Sequence, residues 1–308
     1  MSLGSSAMSD LPLDVSAPKA VVATARRPFY WSVRRELWEN RSIYIAPLAV
    51  AGVILLGFPF SLIGFPGRFQ HTQTLPLAKQ AAEHAELYEF AAAMIMLTSL
   101  IVAVFYCLGA LQAERRDRSI LFWKSLPVSD LTTVLSKAAI PLAVLPAVAF
   151  VLVVAVRLVM LLVSTAVLAA YGVDPAPLWS AVEPLSSTLA LIYASVAMAL
   201  WYAPIYGWLL LVSAWARRMA FLWALGPPFV LALFDAIAFH GFLFRHLLGY
   251  RLVGVEEVAF VPHSHSPLGL ADLDPLRFLA TPGLWFGLVF AAGFLAAAVW
   301  LRRRRAPD

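Results

Sequence analysis

The stretch Gln112–Pro141, QAERRDRSILFWKSLPVSDLTTVLSKAAIP, decides how this chain reads. It is a charged, amphipathic segment set between two runs apolar enough to lie in a membrane. Arg115, Arg116, Arg118, Lys124 and Lys137 supply its polar side, and Ile120, Leu121, Phe122, Trp123 and Leu126 supply apolar surface. Pro127 interrupts the helical pattern, and Ser129-Asp130 offers a fresh N-cap for a second helix running into the next span. A helix–break–helix between two spans has two readings. It is a solvated loop holding positive charge on one side of the membrane, or a docking surface for a soluble partner.

Composition places the rest of the chain. Of 308 residues, 61% are hydrophobic and only 13% charged, against roughly 45–50% and 25% in an ordinary soluble domain. This is the make-up of an integral membrane protein. The net charge of +5 comes from Lys and Arg at the ends of apolar runs, where topology puts them. No basic face with interleaved aromatics is present, which argues against nucleic-acid binding. A single cysteine, Cys107, excludes an internal disulfide and reads as a small buried hydrophobe.

Residues 1–25 are rich in Ser, Ala and Pro, lack the order of a signal peptide, and predict a disordered tail. Arg26–Arg41, RRPFYWSVRRELWENR, predicts an interfacial helix. Phe29, Tyr30, Val33, Leu37 and Trp38 would share its apolar face, with Arg34, Arg35 and Glu39 turned away. Six spans follow, at about 42–63, 88–111, 138–170, 187–214, 219–244 and 282–301, each reaching the ~20 residues a spanning helix needs. The third is long enough that it must tilt, kink at Pro141 or Pro146, or project beyond the bilayer. Lys and Arg concentrate before the first span, after the second and fourth, and at the chain end, which predicts both termini in the cytoplasm. The fold class expected is an all-α integral membrane protein, with residues 26–305 forming one transmembrane domain.

Several residues inside or beside the spans carry further expectations. Arg157, in the third span, is costly in hydrocarbon and invites a buried partner; Asp235 in the fifth is the candidate, as a structural pair or as part of a translocation path. Trp201, Tyr202 and Tyr206 crowd the fourth span around Pro204, as packing residues or as the lining of a cleft for an amphipathic substrate. His263-Ser264-His265 in a loop is a weak metal signal, since two ligands do not make a site, and no metal site is assigned. No P-loop sequence, Gly-x-x-x-x-Gly-Lys-Ser/Thr, occurs.

These features together resemble the transmembrane subunit, or permease, of an export-type (type 2) ABC transporter. The resemblance rests on the six-span topology, the interfacial helix before the first span, and the run Glu114-Arg115-Arg116-Asp117-Arg118-Ser119-Ile120-Leu121-Phe122-Trp123-Lys124-Ser125-Leu126-Pro127-Val128-Ser129. That run is similar to the family's charged stretch followed by Ser-Leu-Pro-hydrophobic-Ser, and Lys137 fits a lysine found shortly after. The resemblance implies that Glu114–Val128 carries the coupling helix that contacts the ATPase. It makes Arg27–Asn40 the elbow helix, including Tyr30, Arg34, Arg35 and Trp38, and lets Phe242–Val253 re-enter the outer leaflet. It also implies two separate ATPase subunits carrying ATP and Mg, a second permease copy as homodimer or paired heterodimer, membrane lipids around it, no cofactor on this chain, and a bacterial inner (plasma) membrane. The alternatives are an anchor or sensor that recruits an ATPase without transporting, and, less well supported, an intramembrane protease suggested by Glu256-Glu257 and Phe242-x-x-x-His246.

Overall fold

A computed structural model describes residues 28–113, 129–238, 243–261 and 269–304. Within them the chain is helices joined by short turns, with one bridge between Phe260 and Leu273. Six helices are long and apolar enough to cross a membrane. Most contain proline or lack polar side chains on any face, so they are stabilised by what surrounds them, each backbone group being satisfied within its own helix.

The order begins with α1 (Pro28–Glu39), then α2 (Ser42–Ser61), which is the first span. Gly64, at φ +71°, turns the chain into the short α3 (Phe65–Thr72). The second span, α4 (Leu77–Ala110), begins well before the expected residue 88. After the loop comes α5 (Asp130–Ala139), a π-helical turn at Ile140–Val144, and α6 (Leu145–Ala170). Pro141 explains the turn: it has no N–H to give an α-type bond, so the ladder slips to a wider register. Together these elements make one 41-residue rod, about 60 Å long at 1.5 Å per residue, twice a ~30 Å hydrocarbon core. The third span therefore both carries an irregular turn at Pro141 and projects beyond any bilayer it crosses.

Next are α7 (Ala176–Val182) and α8 (Pro184–Trp215), separated by Glu183 in the left-handed region at φ 40°. The fifth span, α9 (Ala220–Ala238), is followed by α10 (Leu243–Ala259), a short α11 (Pro275–Ala280) and the sixth span, α12 (Pro282–Arg304). Compared with the sequence reading, the second and fourth spans start earlier and the sixth runs further. Boundaries drawn from hydropathy stop where charge begins, whereas a helix continues until its hydrogen bonds are interrupted.

Two large apolar cores and a small cluster around Leu111, Val134 and Ala298 are found among the described residues. One lies among α2, α3, α4, α6 and α7, around Phe58, Phe69, Ile95, Met160 and Leu168. The other gathers α8, α12 and α10 against α4, around Cys107, Trp201, Leu210 and Leu284. The most extensive packing is between α8 and α12. It depends on Gly207, where an added Cβ would stand 3.2 Å from the Ala291 carbonyl oxygen.

Candidate functional site: a buried ionic frame around residues 112–130

The described residues on either side of 114–128 lie at one end of the bundle, and that end is held by charges, three of them buried. On α1, Val33 and Leu37 face the core, and Glu36 between them is 2% exposed. Lys137 of α5, also 2% exposed, donates from Nζ to Glu36 Oε1 at 2.7 Å. Tyr106 of α4 donates its hydroxyl to Glu36 Oε2 at 2.7 Å, and Asn40 Nδ2 reaches the same oxygen at 3.4 Å. Three elements thus converge on one carboxylate. A lone carboxylate at this burial would be prohibitive, and these partners are what make it tolerable.

A second pair closes the other flank. Arg302 of α12, itself buried, donates from Nε to Asp130 Oδ1 at 2.9 Å. Asp130 opens α5, where Ser129 caps the helix by accepting from the Thr132 N–H at 3.1 Å, as the sequence leads one to expect. On the entry side, Ser213 Oγ of α8 accepts from the backbone N–H groups of Leu111 and Gln112 at 3.0 and 3.1 Å. Those donors are taken out of the α4 ladder, which is why the helix ends there. Residues 112–130 are therefore bracketed by contacts to α1, α8 and α12. Glu114, Arg115, Arg116, Asp117, Arg118, Phe122, Trp123, Lys124, Leu126 and Pro127 lie outside the described residues.

On α1 the expected apolar face is divided: Val33 and Leu37 pack on the core, while Tyr30 and Trp38 are exposed, as are Phe29 and Trp31. Arg35 bonds to Glu39 with both Nε and Nη2, at 2.6 and 3.2 Å. Arg34 lies between the Trp31 and Trp38 rings, 5.2 and 4.7 Å from their centroids. The inward face is narrower than its aromatic content suggests, and it carries Glu36.

Arg157 is paired, but not with Asp235. Its Nη2 donates to Glu89 Oε1 of α4 at 2.9 Å, beside a Tyr88–Ser164 hydroxyl contact at 3.1 Å. The reason is packing: α6 lies against α2, α4 and α8, and α4 brings Glu89 to its side. Asp235, buried on α9, engages other groups. Glu89 sits about 30 Å along α4 from Ala110, so the pair lies toward the end of the bundle opposite the ionic frame, where a charge is cheaper than at mid-depth.

Trp201, Tyr202 and Tyr206 are all buried, and two of them bind α10. Trp201 Nε1 donates to the Arg251 carbonyl at 2.9 Å and the Tyr202 hydroxyl to the Leu252 carbonyl at 2.8 Å. Trp201 and Tyr202 thus join α8 to α10. Because Trp201 lies midway along α8, α10 returns to the middle depth of the bundle. Arg251 accompanies it, with its guanidinium 4.6 Å from the Trp201 ring centroid and Nη1 donating to the Gly283 carbonyl at 3.1 Å. Gly287 makes room for it: a Cβ there would fall on the guanidinium.

Sequence reasoning missed Glu36, Glu89 and Arg251. Glu36 was legible in principle, since it sits between Val33 and Leu37 on the helix face that turns inward. Glu89 falls within the second expected span with nothing in the sequence to mark its partner, and Arg251 counts as a loop charge because hydropathy alone does not show α10 packing into the bundle. Comparison with protein-family models, with curated proteins and with solved structures finds no match for this chain.

Proposed function

We propose that this chain is the permease subunit of an ATP-driven ABC exporter, with the segment 114–128 as the docking site of a separate ATPase. The observation that supports this reading most is the ionic frame. The residues that flank the segment resembling the coupling segment are tied to Ser213, Glu36–Lys137 and Asp130–Arg302. A displacement applied to that segment is delivered to α4, α5, α8 and α12 together, because the residues at its ends bond to all four. A solvated connector needs no such anchoring.

In this reading the chain lies in a bacterial inner membrane with both termini cytoplasmic, so that the frame faces the ATPase. Two copies, or one copy and a related permease, work with two ATPase subunits that bind ATP and Mg. Closure of the ATPases favours one arrangement of the permease helices over another, which is the differential contact any driven change requires. The cargo is a lipid-like, peptide or other amphipathic molecule. The mid-depth position of α10, with Arg251 against Trp201, favours a gate on the side opposite the ATPase.

Co-expression with the neighbouring genes and purification in mild detergent tests this. An ATPase is expected to co-purify with the wild type and to be lost, or uncoupled in hydrolysis, when Glu114→Ala and Arg118→Ala are combined. Wild-type dimer that retains no ATPase removes the exporter reading.

A further inference from the structure

One surface of α1 is left over when its inward contacts are assigned. Trp31, Arg34 and Trp38 follow one another at spacings of three and four residues on α1, which stacks them as a stripe on the face away from Val33, Glu36 and Leu37, and Arg41 follows just past the helix end, at the N-cap of α2. Trp31 is 58% exposed and Trp38 65% exposed. We propose that this stripe is a binding site for the headgroups of anionic phospholipids.

Three observations carry the assignment. First, location: α2, a span, begins at Ser42, directly after the stripe, so the stripe lies at the membrane boundary whichever way the chain is oriented. Exposed tryptophan is most stable there, with its ring among acyl chains and its N–H among headgroups. Second, charge: Arg34 has no carboxylate partner among the described residues, and Glu39, the carboxylate next to the stripe, is bound in a two-pronged contact by Arg35. The stripe is left net positive, complementary to a surface of anionic lipid. Third, chemistry: the Arg34 guanidinium lies over both Trp rings, and contact with two rings limits the side-chain freedom that binding would otherwise remove. A planar fork of donors matches the oxygens of a phosphodiester.

The site is independent of the transport reading, since it needs only a bilayer. It gives α1 a second task. The face bearing Glu36 holds the ionic frame, and the face bearing Arg34 senses the lipid composition beside it.

The test uses the full chain, delipidated in detergent and titrated with phosphatidylglycerol or phosphatidylcholine, with lipid adducts counted by native mass spectrometry. The wild type is expected to hold phosphatidylglycerol more tightly than phosphatidylcholine. Arg34→Gln with Arg41→Gln should weaken the tightest phosphatidylglycerol site by about 30-fold, at roughly fivefold per arginine. A charge-matched control, Arg218→Gln with Arg303→Gln, changes two exposed arginines elsewhere and should leave that site intact. Both variants must elute as the wild type does and bind phosphatidylcholine equally, which separates a lost site from a lost fold. Equal binding of the two lipids by the wild type overturns the proposal, as does an equal loss in the two double variants. Displacement of the lipid by an equal concentration of inorganic phosphate also overturns it, by assigning the stripe to a free anion.

Discussion

Replacing Lys137 by Met is the most informative perturbation of the ionic frame. The side chain is similar in length and loses its charge, so the packing around it changes little. What changes is Glu36: its Oε1 loses a donor at 2.7 Å while the carboxylate stays 2% exposed. Removing one member of a buried ion pair strands the other, at a cost of about 3–5 kcal/mol. Tyr106 and Asn40 still donate to Glu36, which offsets part of that and places the expectation at the lower end, about 3 kcal/mol. Glu36→Gln should also destabilise, but by less, since Lys137 has contacts besides Glu36. The double variant, Glu36→Gln with Lys137→Met, leaves no buried charge at the site and should recover most of the loss. Unfolding free energies of the wild type, both singles and the double, measured by steric trapping in bicelles, form the cycle that isolates the coupling. A coupling of 2 kcal/mol or more is expected, to order of magnitude. Additive single losses, each below about 1 kcal/mol, would refute the reasoning, because the pair would then be behaving as an exposed one.

Other expectations follow from particular contacts. Gly287→Ala should destabilise the chain and loosen α10, since the new Cβ displaces the Arg251 guanidinium from the Trp201 ring; hydrogen exchange of Tyr250–Val255 reads this out. Trp201→Phe keeps most of the buried ring but removes the donor to the Arg251 carbonyl, for a loss of about 1–2 kcal/mol. Glu89→Gln should cost less than the Lys137 change, about 1–2 kcal/mol, because the Glu89 side chain is 36% exposed and water screens what remains. Asp130→Asn should cost under about 1 kcal/mol, since that carboxylate is partly solvated, and its effect should fade in high salt.

The helical class and the number of spans were legible because a membrane imposes one rule on every segment, a long apolar run with internally bonded backbone. The Ser129 cap and the irregular turn at Pro141 were legible for local reasons: a hydroxyl that accepts from the third residue on, and a residue without an N–H. Partner choice was not. Arg157 needed a carboxylate, and the sequence offered Asp235 in a span while Glu89 sat at the edge of one. Only helix packing decides between them. On α1, Tyr30 and Trp38 are exposed, as suits Tyr and Trp at a membrane boundary, whereas the inward turn of Glu36 is fixed by partners on α4 and α5 that lie far away in sequence. Trp201 and Tyr202 illustrate the same limit: nothing in the sequence pairs them with the carbonyls of Arg251 and Leu252.

The claim at the centre is that the segment 114–128 receives a separate ATPase. A photo-crosslinking amino acid placed at Trp123 or Lys124, in cells co-expressing the neighbouring genes, tests it most directly, with Tyr171 at the far end of the third span as the control position. Crosslinks from Trp123 or Lys124 to an ATPase, strengthened when ATP is trapped and missing from Tyr171, are the expected result. Crosslinks only to lipid or to a second copy of the chain, with the ATPase present and folded, would contradict the account.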